Sequence, residues 1–246
     1  MKECILSVLF MFAMTSIGAC LVVFFKEVKP KLNMILIGVA SGIMIASSVF
    51  SLIIPSLGMC DYLGAWFWLP TSIGLIFGGA FLLVLDKIAM GLRKTKLNKS
   101  NKLFFAMTFH NIPEGLAVGV GFGAYFASND PLLLASAIGL AIGIGVQNLP
   151  EGFAVSLPLY VNGYSKRKSA FLGVVSGAVE PVFALLGVVL AVASTGLLPW
   201  LLSLSAGCML IVTISELIPE LKSTTIGSVS FLVGFILMLI LDNTKF

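Results

Sequence analysis

His110-Asn111-Ile112-Pro113-Glu114-Gly115-Leu116-Ala117-Val118-Gly119 is echoed 37 residues later by Gln147-Asn148-Leu149-Pro150-Glu151-Gly152-Phe153-Ala154-Val155-Ser156. Six of the ten positions are identical. Each copy sets a metal-competent polar group four residues before a carboxylate, which puts the two on one face of a helix. A proline stands one residue before each glutamate, and a glycine follows at once. Charge and helix breakers are costly in apolar surroundings, so the same costly pattern written twice marks a site.

The sequence around the phrase is that of a membrane protein. Hydrophobic residues make up 59% of the 246 and charged residues 11%, with a mean hydropathy of +1.09. Soluble domains carry about 25% charged residues. Eight apolar stretches can be drawn, roughly 4–25, 32–54, 66–86, 103–126, 131–160, 168–195, 199–221 and 226–243. A hydrocarbon core needs about 20 residues to cross, so the reading is an all-α integral membrane protein of eight transmembrane helices. Spans 5 and 6 are long and predict tilts or kinks. The chain is one polytopic membrane domain, 1–246, with no soluble domain beside it.

Charge gives an orientation. Thirteen of the fifteen Lys and Arg residues fall in the connections 1–2, 3–4, 5–6 and 7–8. By the positive-inside rule these connections are cytoplasmic and both termini lie outside. The net charge of +4 is accounted for by these loops and calls for no nucleic-acid partner. Ile17-Gly18-Ala19-Cys20 faintly resembles a lipoprotein cleavage site, but the apolar run continues through Phe25 to a lysine cluster, as a spanning helix would. Cys4, Cys20, Cys60 and Cys208 stand singly and read as small apolar fillers.

Counting residues inward from Lys102, Tyr160 and Lys168 puts His110, Glu114, Gln147, Glu151 and Glu180 roughly 12–20 Å from the cytoplasmic boundary, at 1.5 Å per residue. Three helices thus bring three carboxylates, an imidazole and a carboxamide to one level, with Asn111 and Asn148 beside them. A mid-membrane carboxylate costs about 3 kcal/mol on insertion scales, and a cation is the cheapest compensation for three. His110 is the only histidine. Imidazole with carboxylate and amide oxygens suits Zn, Fe, Mn, Co or Cd, and the lack of thiolates argues against Cu(I). Pro113 and Pro150 cannot donate to the carbonyls of Phe109 and Val146, which frees those oxygens beside the site.

The remaining polar residues divide. Glu216 and Glu220, four apart on span 7, fit either a cytoplasmic exit pathway or, for Glu220, an ion pair with Lys222. Asp86 reads as an interfacial pair with Lys87. Asp130 reads as a helix N-cap, with Pro131 at the first helical position. Trp66 and Trp68 resemble an interface belt. Ser47, Ser48 and Ser51 suit packing hydrogen bonds between helices.

Together these residues resemble the ZIP (Zrt/Irt-like) family of divalent-metal transporters, in its prokaryotic GufA-like branch. The resemblance rests on His-Asn-x-Pro-Glu-Gly on span 4, Gln-Asn-x-Pro-Glu-Gly on span 5, Glu-Pro on span 6 and Glu-x-x-Pro-Glu on span 7. It implies a binuclear metal centre, with His110, Glu114, Gln147 and Glu151 at the first metal. Asn111, Asn148 and Glu180 would hold the second, with Glu114 and Glu151 bridging. It further implies homodimers, metal movement toward the cytoplasm and, in some members, an elevator motion of spans 1, 4, 5 and 6. Gln147 and Asn148 depart from the histidine or acid of many members, and the 3–4 connection carries no histidine.

The expected function is transport of divalent transition metals, zinc first and iron, manganese, cobalt or cadmium beside it, into the cytoplasm across a cell (inner) membrane. The metal is cargo; no cofactor and no enzymatic activity are expected. Gly-x-x-x-x-Gly-Lys is absent, so no nucleotide drives it. The competing reading, an intramembrane metal-dependent hydrolase, lacks a His-Glu-x-x-His motif.

Overall fold

The computed structural model describes residues 1–24, 29–93, 99–221 and 224–243. The side chains of Asp86, His110 and Glu216, and Lys222 altogether, lie outside the described residues, and with them the pairs Asp86–Lys87 and Glu220–Lys222. Eight helical rods follow one another: α1 (Lys2–Val23), α2 (Pro30–Gly58), α3 (Leu69–Arg93), α4 (Lys99–Ser128), α5 (Pro131–Val161), α6 (Lys166–Ala193), α7 (Thr195–Glu220) and α8 (Thr225–Asn243). No strand occurs among the described residues.

Among the described residues six rods, α1, α2, α5, α6, α7 and α8, are long and apolar enough to cross a membrane, and α3 contributes a shorter apolar stretch, Leu69–Val84. Helix α4 carries Lys99, Asn101, Lys102, His110, Asn111 and Glu114 along its 30 residues.

Small residues decide which helices meet. Lipid is as apolar as leucine, so close backbone approach does much of the work of helix association in a membrane. Helix α4 lays Gly115, Gly119 and Gly123 against Glu180, Ala184 and Val188 of α6. Gly18 of α1 sits on the Leu149 carbonyl of α5, and Gly152 of α5 sits on the Thr15 carbonyl. Gly42 and Gly234 join α2 to α8, while Gly78 and Gly207 join α3 to α7. Two groups of four result, α1–α4–α5–α6 and α2–α3–α7–α8. They meet where α5 packs on α2 and α8 and where α4 packs on α7.

One of these close approaches yields a stability prediction. A Cβ at Gly119 would stand 2.0 Å from the Ala184 carbonyl oxygen, and backbone cannot swing aside as a side chain does. Gly119→Ala therefore destabilises by about 1–3 kcal/mol, the usual range for overpacking. It appears as a lower melting temperature in detergent. Gly58→Ala, whose added Cβ meets nothing within 4 Å, leaves that temperature unchanged.

Prolines shape the rods unevenly. Helices α4 and α5 run through Pro113, Pro150 and Pro158 without a break. Helix α6 divides at Ala178, just before Glu180-Pro181, so that Glu180 falls in the first turn of its second half. Helices α2 and α7 widen into π-helical turns at Ser48–Ile53 and Thr213–Leu217. Each widening precedes a proline, Pro55 or Pro219, whose missing N–H interrupts the i→i−4 ladder. The kink in span 6 was legible in the sequence. The two π turns were not, because many helices absorb a proline by bending alone.

The capping expected at Asp130 is present: its carboxylate accepts the Leu132 N–H at 2.9 Å. The tight α4–α5 connection places Asn129 at φ 55°, a conformation that asparagine tolerates better than most residues. Cys4, Cys60 and Cys208 are buried fillers, as read, whereas Cys20 is exposed.

Candidate metal centre

The repeated phrase folds onto facing helices. Asn111, Glu114, Gln147, Asn148, Glu151 and Glu180 are all at most 6% exposed. Gln147 Nε2 of α5 donates to Glu114 Oε1 of α4 at 2.5 Å. One residue on, Asn148 Nδ2 donates to Glu180 Oε2 of α6 at 2.9 Å. Asn111 Nδ2 donates to the Ser176 carbonyl at 2.9 Å, tying α4 to α6. Of the residues assigned to one level by counting, Glu114, Gln147 and Glu180, with Asn148 beside them, thus come together in a plane where α4, α5 and α6 exchange hydrogen bonds.

Sequence position explains the partner choice. Gln147 and Asn148 are adjacent, so their side chains diverge by about 100° around α5. One turns to α4 and the other to α6. Gly115 and Gly152 let the backbones close in on either side, with Gly115 against the Glu180 backbone and Gly152 against that of Thr15.

The site is rich in acceptors. Gln147 Oε1 and Asn148 Oδ1 are buried and have no hydrogen-bond partner among the described residues. Buried amide oxygens ordinarily find a donor. Nearby compensation cannot come from Lys or Arg on these helices, because the sequence has neither between Lys102 and Lys166 nor between Lys168 and Lys222. Among the described residues no three His, Cys, Asp or Glu side chains converge into a ready cluster. The donor set is instead mixed, with amides interleaved between carboxylates. An ion held here would need Gln147 and Asn148 to present oxygen where their NH2 groups now face Glu114 and Glu180, a rotation of each carboxamide about its last side-chain bond.

The family model described as ZIP Zinc transporter matches residues 98–242, which hold every residue of this plane. The chain is 36% identical to zinc transporter GufA of Myxococcus xanthus across 93% of each sequence. It is 31% identical to zinc transporter ZIPB of Bordetella bronchiseptica across 94% of this chain and 78% of that one. It is 28% identical to human zinc transporter ZIP11 across 98% and 96%. The chain belongs to the ZIP zinc transporter family. It is accordingly a transporter, not an enzyme, and a multi-pass membrane protein.

One cavity among the described residues reaches a glutamate of the ZIP centre. A cavity of about 580 Å3 runs between α2 and α5, lined by Ala40, Pro150, Glu151, Ala154, Pro158 and, at its end, Glu220 of α7. It links a site glutamate to the end where Lys166 donates to the Val23 carbonyl and Lys168 lies 4.5 Å above the Tyr164 ring. At the opposite end a cavity of about 450 Å3, lined by Tyr62, Ser128 and Thr195 among others, narrows beside Ala124 and Leu133. There a void of about 10 Å3 remains among Ser51, Ser136, Leu140 and Leu202, room for about one water at most. The described residues thus leave a large cavity between Glu151 and Glu220 and a small void beside Ser51 and Ser136.

Two groups escaped the sequence reading, one at this centre and one toward the termini. Thr15 Oγ1 of α1 donates to Glu180 Oε1 at 2.8 Å; a threonine in an apolar helix gives no signal in one sequence. Asp242 near the end of α8 accepts from Ser51 of α2 at 2.7 Å and Ser136 of α5 at 3.3 Å. An acid at the end of an apolar span was the available clue there. Of the serines expected to pack, Ser47 and Ser48 bond back to Met44 within α2, and Ser51 reaches across.

Proposed function

We propose that this chain carries divalent transition-metal ions, zinc first, across a cell membrane and into the cytoplasm through the plane of Glu114, Gln147, Asn148, Glu151 and Glu180. The observation that carries the reading is the pair of buried amide oxygens, Gln147 Oε1 and Asn148 Oδ1, set among three buried carboxylates. A divalent cation fits such an acceptor-rich pocket, since oxygen donors and a single imidazole suit zinc and its neighbours. The relatives named as zinc transporters favour zinc.

In this mechanism the first ion rests between His110, Glu114, Gln147 and Glu151, and a second position uses Asn111, Asn148 and Glu180. Glu114 and Glu151 bridge the two. All eight rods span the bilayer, with both termini outside and the cation-bearing connections inside, which places the Glu220 cavity on the cytoplasmic face. Release follows that cavity, past Glu151 and toward Glu216 and Glu220. Pairing as a homodimer leaves this route within each protomer. Cadmium, manganese, iron and cobalt share the donor preferences and are secondary cargo.

Purified protein in liposomes tests the reading. Zinc and cadmium flux well above protein-free vesicles is the expected result. Vesicles that move none of the five metals would overturn it, and cleavage of a peptide or ester substrate would favour the hydrolase instead.

A further inference from the structure

Helix α1 carries no residue singled out for the site, yet it supplies a donor to Glu180. Thr15 is buried, at 2% exposure. Its Oγ1 reaches Glu180 Oε1 at 2.8 Å, while Asn148 Nδ2 reaches Glu180 Oε2 at 2.9 Å. The two carboxylate oxygens are thus each gripped from a different helix, α1 and α5. The residue is wedged between glycines: its carbonyl lies against Gly152, and its methyl lies against Gly177. Glu151 precedes the first of these and Glu180 follows the second by three residues.

We propose that Thr15 is a positioning residue for the Glu180 carboxylate, setting how firmly the second metal position holds its ion. The two donors hold one oxygen each; with the hydroxyl removed, the hold on Oε1 is lost and the carboxylate aligns less firmly with the other ligands. A hydroxyl suits this task better than a second amide. It carries one proton, and Thr15 Oγ1 also lies 3.2 Å from the Met11 carbonyl, the usual i−4 acceptor of a helical threonine. When a cation draws Glu180 Oε1 toward itself, the proton can turn to Met11, so no buried donor is stranded. The proposal rests on the reading of Glu180 as a metal-holding group.

Zinc titration by calorimetry on the full chain in lipid nanodiscs provides the test, with Thr15→Val, Thr15→Ser and Glu180→Gln in parallel. Valine keeps the shape against Gly177 and deletes the hydroxyl; serine keeps the hydroxyl. The expected result is a weaker binding event that loses about tenfold in affinity in Thr15→Val, stays within twofold in Thr15→Ser, and vanishes in Glu180→Gln. The tighter event changes in none of them. Thr15→Ala is the reserve hydroxyl deletion, with the same expected loss, should valine prevent folding. If Glu180→Gln removes the weaker event but neither hydroxyl deletion shifts it, the role of Thr15 is wrong while the site reading stands. Equal losses in the serine and valine variants would assign the effect to packing and likewise overturn it. Two unchanged events in Glu180→Gln would sink the second-position reading and the inference with it.

Discussion

Glu114→Ala and Glu151→Ala each reduce zinc flux in liposomes to the level of empty vesicles, with expression and melting behaviour close to the parent protein. Both side chains are buried, at 0% and 6% exposure, and both stand on the repeated phrase. Each carboxylate contributes one of the negative charges that replace the hydration of a divalent ion. In a low-dielectric interior that attraction is far stronger than in water. Removing either one leaves the first position with a single carboxylate beside His110 and Gln147, one negative charge short of neutralising a dehydrated divalent ion. In Glu114→Ala the lost acceptor of Gln147 is offset by removal of an acid that apolar surroundings disfavour, so folding survives. Glu220→Gln costs much less, because Glu220 is exposed at the cavity end. Normal flux in either alanine variant would dismantle the site assignment.

Ala154→Trp stops transport by a different route, lowering flux at least tenfold while zinc still binds the centre. Ala154 lies three residues past Glu151 on α5 and lines the cavity that leads to Glu220. Three residues is nearly one helical turn, so an indole there projects into the passage directly below the site glutamate. The two faces of the passage come from α2 and α5, and neither can retreat without disturbing the seam between the helix groups. Binding and flux therefore separate: calorimetry reads an intact site, and isotope uptake reads a blocked exit. Leu185→Trp, on an outward face of α6 at 66% exposure, is the matched control and transports normally. Equal flux in the two tryptophan variants would show that the Glu220 cavity is not the route.

The legible part of this molecule was the part where residue chemistry is costly. Glutamates and prolines inside apolar runs need a reason, and the reason was readable from spacing alone: i and i+4 on one helix, twice. The same spacing put Gln147 and Asn148 on the plane of Glu114 and Glu180, and the hydrogen bonds among them bear out that common level. Partner choice was not readable. Nothing in one sequence says that Gln147 turns to Glu114 and Asn148 to Glu180, because that depends on how α5 is rotated between α4 and α6. The rotation is set by glycines whose neighbours are other helices' carbonyls.

Thr15 and Asp242 show the same limit from the other side. A threonine among leucines costs little, since it can bond to its own helix, so it carries no mark of function until α6 brings Glu180 to it. Ser51 and Ser136 are equally silent until α8 presents Asp242. The π turns at Ser48–Ile53 and Thr213–Leu217 also arise only when a proline-interrupted helix is held against neighbours that prevent a simple bend.

By itself the sequence determined the class, the helical rods and the polar residues that must share a plane, because apolar length, charge and periodicity are local properties that lipid enforces on each segment separately. The tertiary structure alone decided which amide faces which carboxylate, that α1 grips Glu180, and that a cavity runs from Glu151 to Glu220. Those outcomes depend on distances between helices far apart in the chain, fixed by close glycine contacts that no single segment contains.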